Sequence, residues 1–294
     1  MKLTFTTLDV FTTTRYTGNP VSIISVPADL KRTLTQTQKQ AIAKEFNLSE
    51  IIFLHLPSPT AAEATERQID IFTSHAEVPF AGHPTIGSAF YILHVLKEKH
   101  VKTLITKAGR IPIEETEEGG VKAEIPFNFH VHSVTFPSTL NVDTQHPTTS
   151  IVKGMSFIFV RLPDLPILAK ADTQGNINGY TYDPSKLDDG WQQGLVGTMY
   201  FVPQGVDEKG RKKYRTRMFG TREDPGTGSA SSALGCFLAV TEGEEGINVF
   251  AFKQGVEMGR MNEILVEVER EGGVVKRVLL SGKAVEVMEG ILEV

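Results

Sequence analysis

Three titratable side chains stand where this sequence could support proton transfer: Glu50, His83 and Asp224. Glu50 lies where a helical pattern ends and an apolar run begins, with Leu48 before it and Ile51 after it. Because burial disfavours the charged form, a carboxyl group among apolar neighbours has a raised pKa and can act as a general acid and base near neutral pH. The alternative is a solvated glutamate in a turn, and the residues alone leave both interpretations open.

His83 and Asp224 each precede a proline at the start of a predicted helix. The segments Pro84–Ala89 and Pro225–Ala230 share the pattern Pro-x-x-Gly-Ser-Ala, so we expect the histidine and the aspartate at equivalent positions of two related halves. Titratable groups at the mouth of a helix are candidates for hydrogen bonding to a substrate or for acid/base work. The alternatives are a histidine that caps its own helix and an ordinary carboxylate near a helix N-terminus.

The two repeated segments also predict a binding site for an anion. A helix N-terminus presents unpaired N–H groups and the positive end of the helix dipole. Glycines at positions 82, 87, 226 and 228 let a ligand approach the backbone closely. We therefore expect both helix starts to hold the carboxylate of one small substrate, although the glycines can equally serve tight packing. The second segment lacks the lysine of a Walker-type loop, which argues against nucleotide hydrolysis.

Strand patterns dominate the elements that must position these residues. The predicted strands are Leu3–Val10, Val21–Val26, Ile51–Leu56, Gln68–Phe72, Ser156–Val160, Thr198–Val202, Asn248–Phe252 and Ile264–Val268. An amphipathic helix is predicted over Thr35–Asn47, with Thr35 and Gln38 at capping-box spacing and Asn47 at its end.

Two further helical segments, Thr85–Lys97 and Thr227–Val240, are apolar or small nearly all round. A helix without a polar face is buried on every side, which predicts a sheet wrapped around one central helix in each half. Three short matches recur in the same order: Ile71-Phe72 with Met218-Phe219, the two Pro-x-x-Gly-Ser-Ala segments, and Gly109-Arg110 with Gly259-Arg260. They predict a two-fold pseudo-symmetric architecture.

The boundaries of the two halves follow from the same patterns. We expect one half over residues 1–128, with a C-terminal strand at 284–294 returning to it, and the other over residues 129–283. The polar stretch at 127–150, which is rich in Pro, Thr and His, is the expected connection.

The composition of the 294 residues argues against several classes of protein. A net charge of −5 disfavours a nucleic-acid partner, and no apolar run approaches the length of a membrane span. The first residues alternate like a strand rather than a signal peptide, so we expect a cytoplasmic protein with no membrane partner. The single cysteine, Cys236, excludes an intramolecular disulfide. His75, Glu77 and His83 follow no standard ligand spacing, so no metal site is expected.

Several motifs together resemble the PhzF-like family of phenazine-biosynthesis isomerases, within the diaminopimelate-epimerase-like fold. In the first half they are Asp9-Val10-Phe11, Gly18-Asn19-Pro20, Asn47-Leu48-Ser49-Glu50, Phe72-Thr73 and Glu77-Val78-Pro79-Phe80-Ala81-Gly82-His83-Pro84-Thr85. In the second half they are Arg217-Met218-Phe219, Glu223-Asp224-Pro225-Gly226-Thr227-Gly228-Ser229-Ala230 and Gln254-Gly255-x-x-x-Gly259-Arg260. The resemblance extends over nearly the whole chain.

The resemblance implies an α+β fold of two halves, each a mostly antiparallel sheet or barrel around one central helix, with the site between them. It also implies a homodimer and a mechanism without a cofactor. By the same resemblance, Glu50 moves the proton, His83 and Asp224 assist it, and Ser229 and Asn19 contact the substrate. Backbone amides around Gly82 and Gly228 would hold the substrate carboxylate.

Some positions depart from the family pattern. Ile51 stands where a threonine is usual, Ser74 where a proline is common, and Met261-Asn262 where Pro-Ser usually follows. No acid or base is lost, but the wall near Glu50 becomes more apolar and the substrate stays open. The fold also hosts two-cysteine racemases, and Cys236 lies inside a helical pattern, so it is interpreted as a small core residue.

The resulting hypothesis is an isomerase that removes a proton from a carbon next to an unsaturated system and returns it elsewhere on a small carboxylate. Two alternatives stay open: an epimerase or racemase of an amino-acid-like substrate, and a non-catalytic protein that binds a small carboxylate. Deuterium incorporation from heavy water, with or without a shifted double bond, separates the three.

Overall fold

The computed structural model describes residues 1–138, 141–171, 183–220 and 222–294. The chain divides into two compact units, residues 1–125 with 281–294 and residues 126–280. The sequence-based boundaries at 128/129 and 283/284 lie slightly further along the chain. Among the described residues no helix is both long and apolar enough to cross a membrane, and the cytoplasmic location stays a prediction.

The strands of the first unit alternate with two α-helices. They are β1 (Lys2–Val10), β2 (Asn19–Val26), β3 (Ile51–His55), β4 (Glu66–Phe72), β5 (Glu77–Val78), β6 (Thr103–Thr106), β7 (Gly109–Glu115), β8 (Val121–Glu124) and the C-terminal β18 (Ala284–Glu293). The helices are α1 (Gln36–Phe46) and α2 (Gly82–Phe90), and a π-helical turn over Tyr91–Val95 extends α2. β18 pairs antiparallel with β1 from Lys2↔Glu293 to Val10↔Ala284, which puts the end of the chain in this unit.

The second unit repeats this plan. Its strands are β9 (His130–Ser138), β10 (Asn141–Val152), β11 (Met155–Arg161), β12 (Leu195–Val206), β13 (Lys212–Phe219), β14 (Glu223–Asp224), β15 (Gly246–Gln254), β16 (Asn262–Glu271) and β17 (Val274–Gly282), whose last two residues belong to the first unit. Its α-helices are α3 (Leu165–Leu168) and α4 (Gly228–Glu242). Short 3-10 turns lie at Pro59–Ala61 in the first unit and at Pro184–Lys186 in the second.

The pairing pattern makes the pseudo-symmetry explicit. β1–β2 is antiparallel, β2–β3 parallel, β3–β4 and β4–β5 antiparallel, β4–β6 parallel and β6–β7 antiparallel. The second unit gives the same series with β10–β11, β11–β12, β12–β13, β13–β14, β13–β15 and β15–β16. The predicted α+β fold of two related, mostly antiparallel halves is therefore correct, and every predicted strand coincides with an observed one.

The predicted helices are also present. Thr35 caps α1 in a reciprocal capping box with Gln38, and Asn47 ends it in the left-handed conformation at φ 49°. Residues 82–89 of α2 are all buried, as is most of α4, so both helices are central in their own units. The burial confirms the inference drawn from their missing polar faces.

Two expectations about local structure are wrong. The polar stretch at 127–150 is not a connection, because β9 and most of β10 form there and pair antiparallel. Polar side chains in these strands bond to one another, as His132 Nε2 does with Ser150 Oγ at 2.8 Å, so they can lie in a sheet without exposure to water.

The first Gly-Ser-Ala segment is not a helix start. α2 begins at Gly82, so Gly87 lies in the second turn of the helix. A Cβ atom at Gly87 would come within 2.8 Å of Val21 Cγ1 and 3.1 Å of Val10 Cγ2. Gly87 therefore allows tight packing of α2, which was the alternative interpretation of the repeated glycines. Of Gly87 and Gly228, only Gly228 begins a helix.

Candidate active site

Glu50 directly precedes β3. At this point β3 lies beside the start of β2 and the end of β4. The registers Ser22↔Ile51 and Ile51↔Phe72 place Glu50 between the start of β2 and the end of β4. α1 ends at Asn47, so only a short turn separates the helix from Glu50. The Glu50 side chain is 20% exposed, which agrees with partial desolvation and argues against a freely solvated turn.

His83 is the partner that the structure brings to Glu50. His83 Nδ1 lies 3.4 Å from Glu50 Oε2, and its side chain is only 6% exposed. His83 does not cap its own helix, because Ala81 is the N-cap residue of α2 and no side chain caps it. The first unit therefore contains a buried imidazole in contact with a partly buried carboxylate at the start of a helix.

The start of α2 can also present backbone donors beside this pair. The first turn of a helix lacks intrahelical partners for its N–H groups, and Pro84 has no N–H, so the donors come from Gly82 and His83. Such N–H groups and the helix dipole favour an anion. The contact between Glu50 and His83 therefore lies beside a helix N-terminus of the kind that favours an anion.

Asn19 begins β2, on the same edge of the sheet as Glu50. It is fully buried, and the strand register places it beside Val10. Gly18 before it has φ 67°, and a Cβ atom there would come within 2.4 Å of Val10 O, so this turn requires glycine. The structure places Asn19 near the start of β3, and its contact with a substrate stays a prediction.

Asp224 has a structural role in the second unit. Its Oδ1 accepts a hydrogen bond from the Gly226 N–H at 3.2 Å, and its Oδ2 accepts one from the Thr227 hydroxyl at 2.7 Å. Thr227 is the N-cap residue of α4, so the carboxylate builds the turn that leads into this helix. The observed contacts of Asp224 therefore agree with the alternative interpretation, an ordinary carboxylate near a helix N-terminus.

Gln254 and Asn262 complete this turn, and the sequence analysis did not identify either as a site residue. Gln254 Oε1 accepts from the Thr227 N–H at 3.1 Å, and its Nε2 donates to Asp224 O at 2.8 Å. Asn262 Nδ2 donates to Pro225 O at 2.7 Å. Gln254 belongs to the Gln254-Gly255 family motif, which could have identified it. Asn262, which departs from the usual family residue, holds the turn through its bond to Pro225.

His83 and Asp224 are not equivalent, which corrects the sequence-based pairing of the two halves. In the β4–β5 hairpin Ile71 pairs with Val78, and in the β13–β14 hairpin Met218 pairs with Asp224. Asp224 therefore matches Val78. The two helices begin at Gly82 and Gly228, so Ser229 takes the position of His83. The pattern that the two halves share at equivalent positions is Glu-x-Pro-x-x-Gly, at residues 77–82 and 223–228, rather than the Gly-Ser-Ala repeat.

Cys236 takes no part in this chemistry. It is fully buried in α4, and burial raises the pKa of its thiol far above the usual range. A thiol that stays protonated cannot act as a base. The interpretation of Cys236 as a small core residue agrees with this environment.

Comparison with known proteins identifies the family. The model of the phenazine biosynthesis-like protein family, PhzC-PhzF, matches residues 8–290. An uncharacterised isomerase of Mesorhizobium japonicum is 30% identical over 302 residues, covering 97% of this chain and 96% of that protein. The trans-2,3-dihydro-3-hydroxyanthranilate isomerase of Pseudomonas chlororaphis is 29% identical over 297 residues, covering 97% of each protein.

A solved structure shows the same fold. The PhzF-family phenazine biosynthesis protein of Bacillus anthracis superimposes with a TM-score of 0.77 at 22% identity, covering 100% of both chains. The family match, the full-length isomerase relatives and this fold agree with one another. The chain therefore belongs to the phenazine biosynthesis-like family, PhzC-PhzF, and its relatives place it among the isomerases.

Proposed function

We propose that the chain is a cofactor-independent isomerase that moves a proton on a small carboxylate-bearing substrate, with Glu50 as the acid and base. The observation that carries the proposal is the contact of 3.4 Å between the partly buried Glu50 and the buried His83. A carboxylate with little water around it is a stronger base toward carbon than a solvated one.

The proposed reaction uses one group twice. The Glu50 carboxylate takes a proton from a carbon next to an unsaturated system, and the electron pair of the broken C–H bond moves into that system. The double bond shifts, and the Glu50 carboxylic acid, after its proton exchanges with solvent, delivers a proton to another carbon, which carries deuterium when the solvent is heavy water. Protons and electrons balance without an external oxidant or reductant.

The neighbouring residues would prepare this transfer. His83 is proposed to orient Glu50 and to polarise the substrate through its ring N–H. The N–H groups at the start of α2 would bind the carboxylate, and those of Gly228 and Ser229 at the start of α4 are proposed for the same kind of contact. Asp224 is proposed to orient the substrate from its fixed turn, a role supported only by the family resemblance.

The substrate class is proposed from the relatives. The Pseudomonas chlororaphis enzyme acts, by its name, on a dihydro-hydroxyanthranilate, which is a cyclic carboxylate with unsaturation in its ring. We extend that class, a small unsaturated carboxylate, to this chain. The homodimer expected from the family stays a prediction.

Replacement of Glu50 by Gln tests the proposal. A well-placed general acid/base contributes roughly 10²–10⁴-fold to the rate, so Glu50→Gln should reduce turnover by at least about 10²-fold. Glu45→Gln, on the exposed face of α1, is the matched control and should keep full activity. Proton exchange is measured by mass spectrometry in heavy water on a panel of unsaturated carboxylates and amino acids.

The outcomes separate the candidate functions. Deuterium incorporation with a shifted double bond supports the isomerase, and incorporation with inversion at carbon supports the epimerase. Binding without exchange across the whole panel supports a binding protein. Full activity of Glu50→Gln would exclude Glu50 as the acid/base.

A further inference from the structure

A cluster of metal-type donors lies in the second unit, and none of its residues belongs to the proposed catalytic set. β9 places His130 and His132 on the same side of the strand, and Asp188 approaches them from the segment after the Pro184–Lys186 turn. The donor atoms of these three residues all lie within 4.8 Å of one another. Among the residues that the structure describes, this is the only group of three or more such donors.

The spacing of the donors suits one ion. His130 Nε2 lies 2.7 Å from Asp188 Oδ2, and His132 Nδ1 lies 3.8 Å from the same oxygen. Two ligands that bind zinc tetrahedrally at about 2.0–2.1 Å are about 3.3 Å apart. The two observed distances bracket this value, and the two histidine donors lie within 4.8 Å of each other, so side-chain rotation must bring the three donors to one ion.

Hydrogen bonds hold His132 in the tautomer that a metal requires. His132 Nδ1 accepts a long hydrogen bond of 3.4 Å from the Asp188 N–H, so this nitrogen is unprotonated, and an ion bound at Nδ1 replaces that hydrogen bond. The proton is then on Nε2, which donates to Ser150 Oγ at 2.8 Å, and Ser150 Oγ contacts Ser156 Oγ at 2.6 Å. A ligating histidine typically donates its other ring N–H to a fixed acceptor in this way.

The other two donors are also oriented. Ser133 donates to Asp188 Oδ1 through its hydroxyl at 2.5 Å and through its backbone N–H at 3.1 Å. The ring of Trp191 stacks on His130 at 4.7 Å, with 9° between the planes. His132 is fully enclosed, whereas the side chains of His130 and Asp188 are 32% and 24% exposed, so an ion can enter from solvent.

We propose that His130 Nε2, His132 Nδ1 and the Asp188 carboxylate bind one divalent transition-metal ion of the zinc class, with water at the open position. Two histidines and one carboxylate are a common ligand set for such ions. Bound there, the ion ties β9 to the segment around Asp188 and stabilises the folded chain, because ligands that bind only the folded state raise its stability. Local sequence patterns do not indicate this set, because Asp188 lies far from the two histidines in the chain.

Zinc titration of the full chain, after treatment with a chelator, tests the proposal. Calorimetry should give one zinc ion per chain, and the midpoint of thermal unfolding should rise with zinc. Cobalt in place of zinc should give the visible absorption of a nitrogen-ligated, four-coordinate ion. Absence of zinc binding by the wild-type chain overturns the proposal and leaves an ion-pair network of His130, His132 and Asp188.

Variants locate the site. His130→Ala and Asp188→Asn should each weaken zinc binding by at least about 100-fold, and Ser150→Ala by about 10–100-fold, because outer contacts typically contribute that much. His75→Ala removes an exposed histidine outside the cluster and should bind zinc like the wild type. Asp188→Asn keeps the shape of the side chain if His130→Ala fails to fold. Zinc binding that persists unchanged in both ligand variants contradicts the proposed site.

Discussion

The two hairpins that lead into α2 and α4 share one backbone plan and differ in chemistry. In each, a glutamate pairs with the last phenylalanine of the preceding strand, Glu77 with Phe72 and Glu223 with Phe219. In each, the central helix then begins at a glycine. The repeated plan presents a helix N-terminus in both units, whereas the titratable groups around it are not repeated.

The position of the proposed acid/base shows the difference most clearly. The registers Ile51↔Phe72 and Thr198↔Phe219 make Gly197 the counterpart of Glu50. A Cβ atom at Gly197 would come within 2.7 Å of Met218 Cε and 3.1 Å of Phe219 O, so a side chain at this position would have to displace the end of the Met218 side chain. Of these two matching positions only the first carries a titratable side chain, which suits the proposed single shuttling base better than a two-base racemase.

The charges that anchor the two hairpins differ as well. Arg217, two residues before Phe219, makes a bidentate bond to Glu223 at 2.7 and 2.8 Å. The matching residue in the first unit is Asp70, which binds Lys39 Nζ at 2.5 Å and His55 Nε2 at 2.7 Å. In the second unit, Arg217 therefore ties the hairpin to Glu223. In the first unit, the matching Asp70 instead forms a cluster with Lys39 and His55 that does not include the hairpin glutamate.

Loss of the Asp70 carboxylate should have the largest effect on stability. Asp70→Asn leaves the buried ammonium of Lys39 without a counter-charge, which should lower the free energy of unfolding by about 3–5 kcal/mol. Urea denaturation at pH 7 measures this loss. Asp29→Asn, at an exposed site, is the control, and equal stability of the two variants would contradict the role of the cluster.

The same cluster predicts a dependence on pH. Burial by itself would raise the pKa of Asp70, but hydrogen bonds from His55 and Lys39 outweigh it and lower the pKa from 3.8 to about 2. Because the folded state binds this proton less readily than the unfolded state, the contribution is complete above pH 4 and disappears as pH falls through about 2. Asp70→Asn should therefore unfold with a weaker dependence on pH over this window than the wild type.

His83 and Ser229 occupy matching positions, and their replacement should affect activity unequally. A hydrogen bond to a charged group is worth about 1.5–3 kcal/mol, so His83→Gln should reduce kcat by roughly 10–100-fold through its contact with Glu50. Ser229→Ala should mainly raise KM, since the backbone donors of α4 remain. Steady-state kinetics with a pH profile distinguishes a loss of kcat from a rise in KM. Equal losses of kcat in both variants would contradict the proposal that the acid/base lies in the first unit.

The sequence predicted the fold well and the correspondence between the halves poorly. Strand alternation and the missing polar faces of α2 and α4 are local patterns that burial enforces, so they could be read directly. The equivalence of Asp224 with Val78 depends on which residues pair across a hairpin. The Gly-Ser-Ala repeat suggested a different equivalence, of Asp224 with His83. That repeat is misleading because in the first unit Gly87 serves helix packing rather than the start of the helix.

The candidate site shows the same limit. The placement of Glu50 between a helix end and a buried strand followed from the apolar residues around it. Its contact with His83 joins two elements far apart in the chain, and the bonds from Gln254 and Asn262 to the turn before α4 do the same. Tertiary contacts of this kind leave no local pattern in one sequence.

Replacement of Gly197 should destabilise the second unit by an intermediate amount. Gly197 does not have a positive φ, so Gly197→Ala adds no backbone strain and the cost comes from overpacking against Met218 and Phe219. Overpacking typically costs about 1–3 kcal/mol. Glu50→Ala, at the matching position of the first unit, should cost less, and thermal denaturation of both variants compares them. A Gly197→Ala variant as stable as the wild type would show that this position can accept a side chain.

The smallest effect is expected where the first hairpin is anchored at the surface. Glu77 contacts Lys107 Nζ at 3.1 Å, and the Lys107 side chain is 59% exposed. Exposed ion pairs contribute about 0–1 kcal/mol, so Lys107→Met should change the free energy of unfolding by no more than that, and raised salt should remove the difference. Arg217→Met, in the matching buried pair, is the contrasting variant and should be far more costly because it leaves Glu223 buried without its partner. Similar losses in the two variants would mean that the two hairpins are anchored alike.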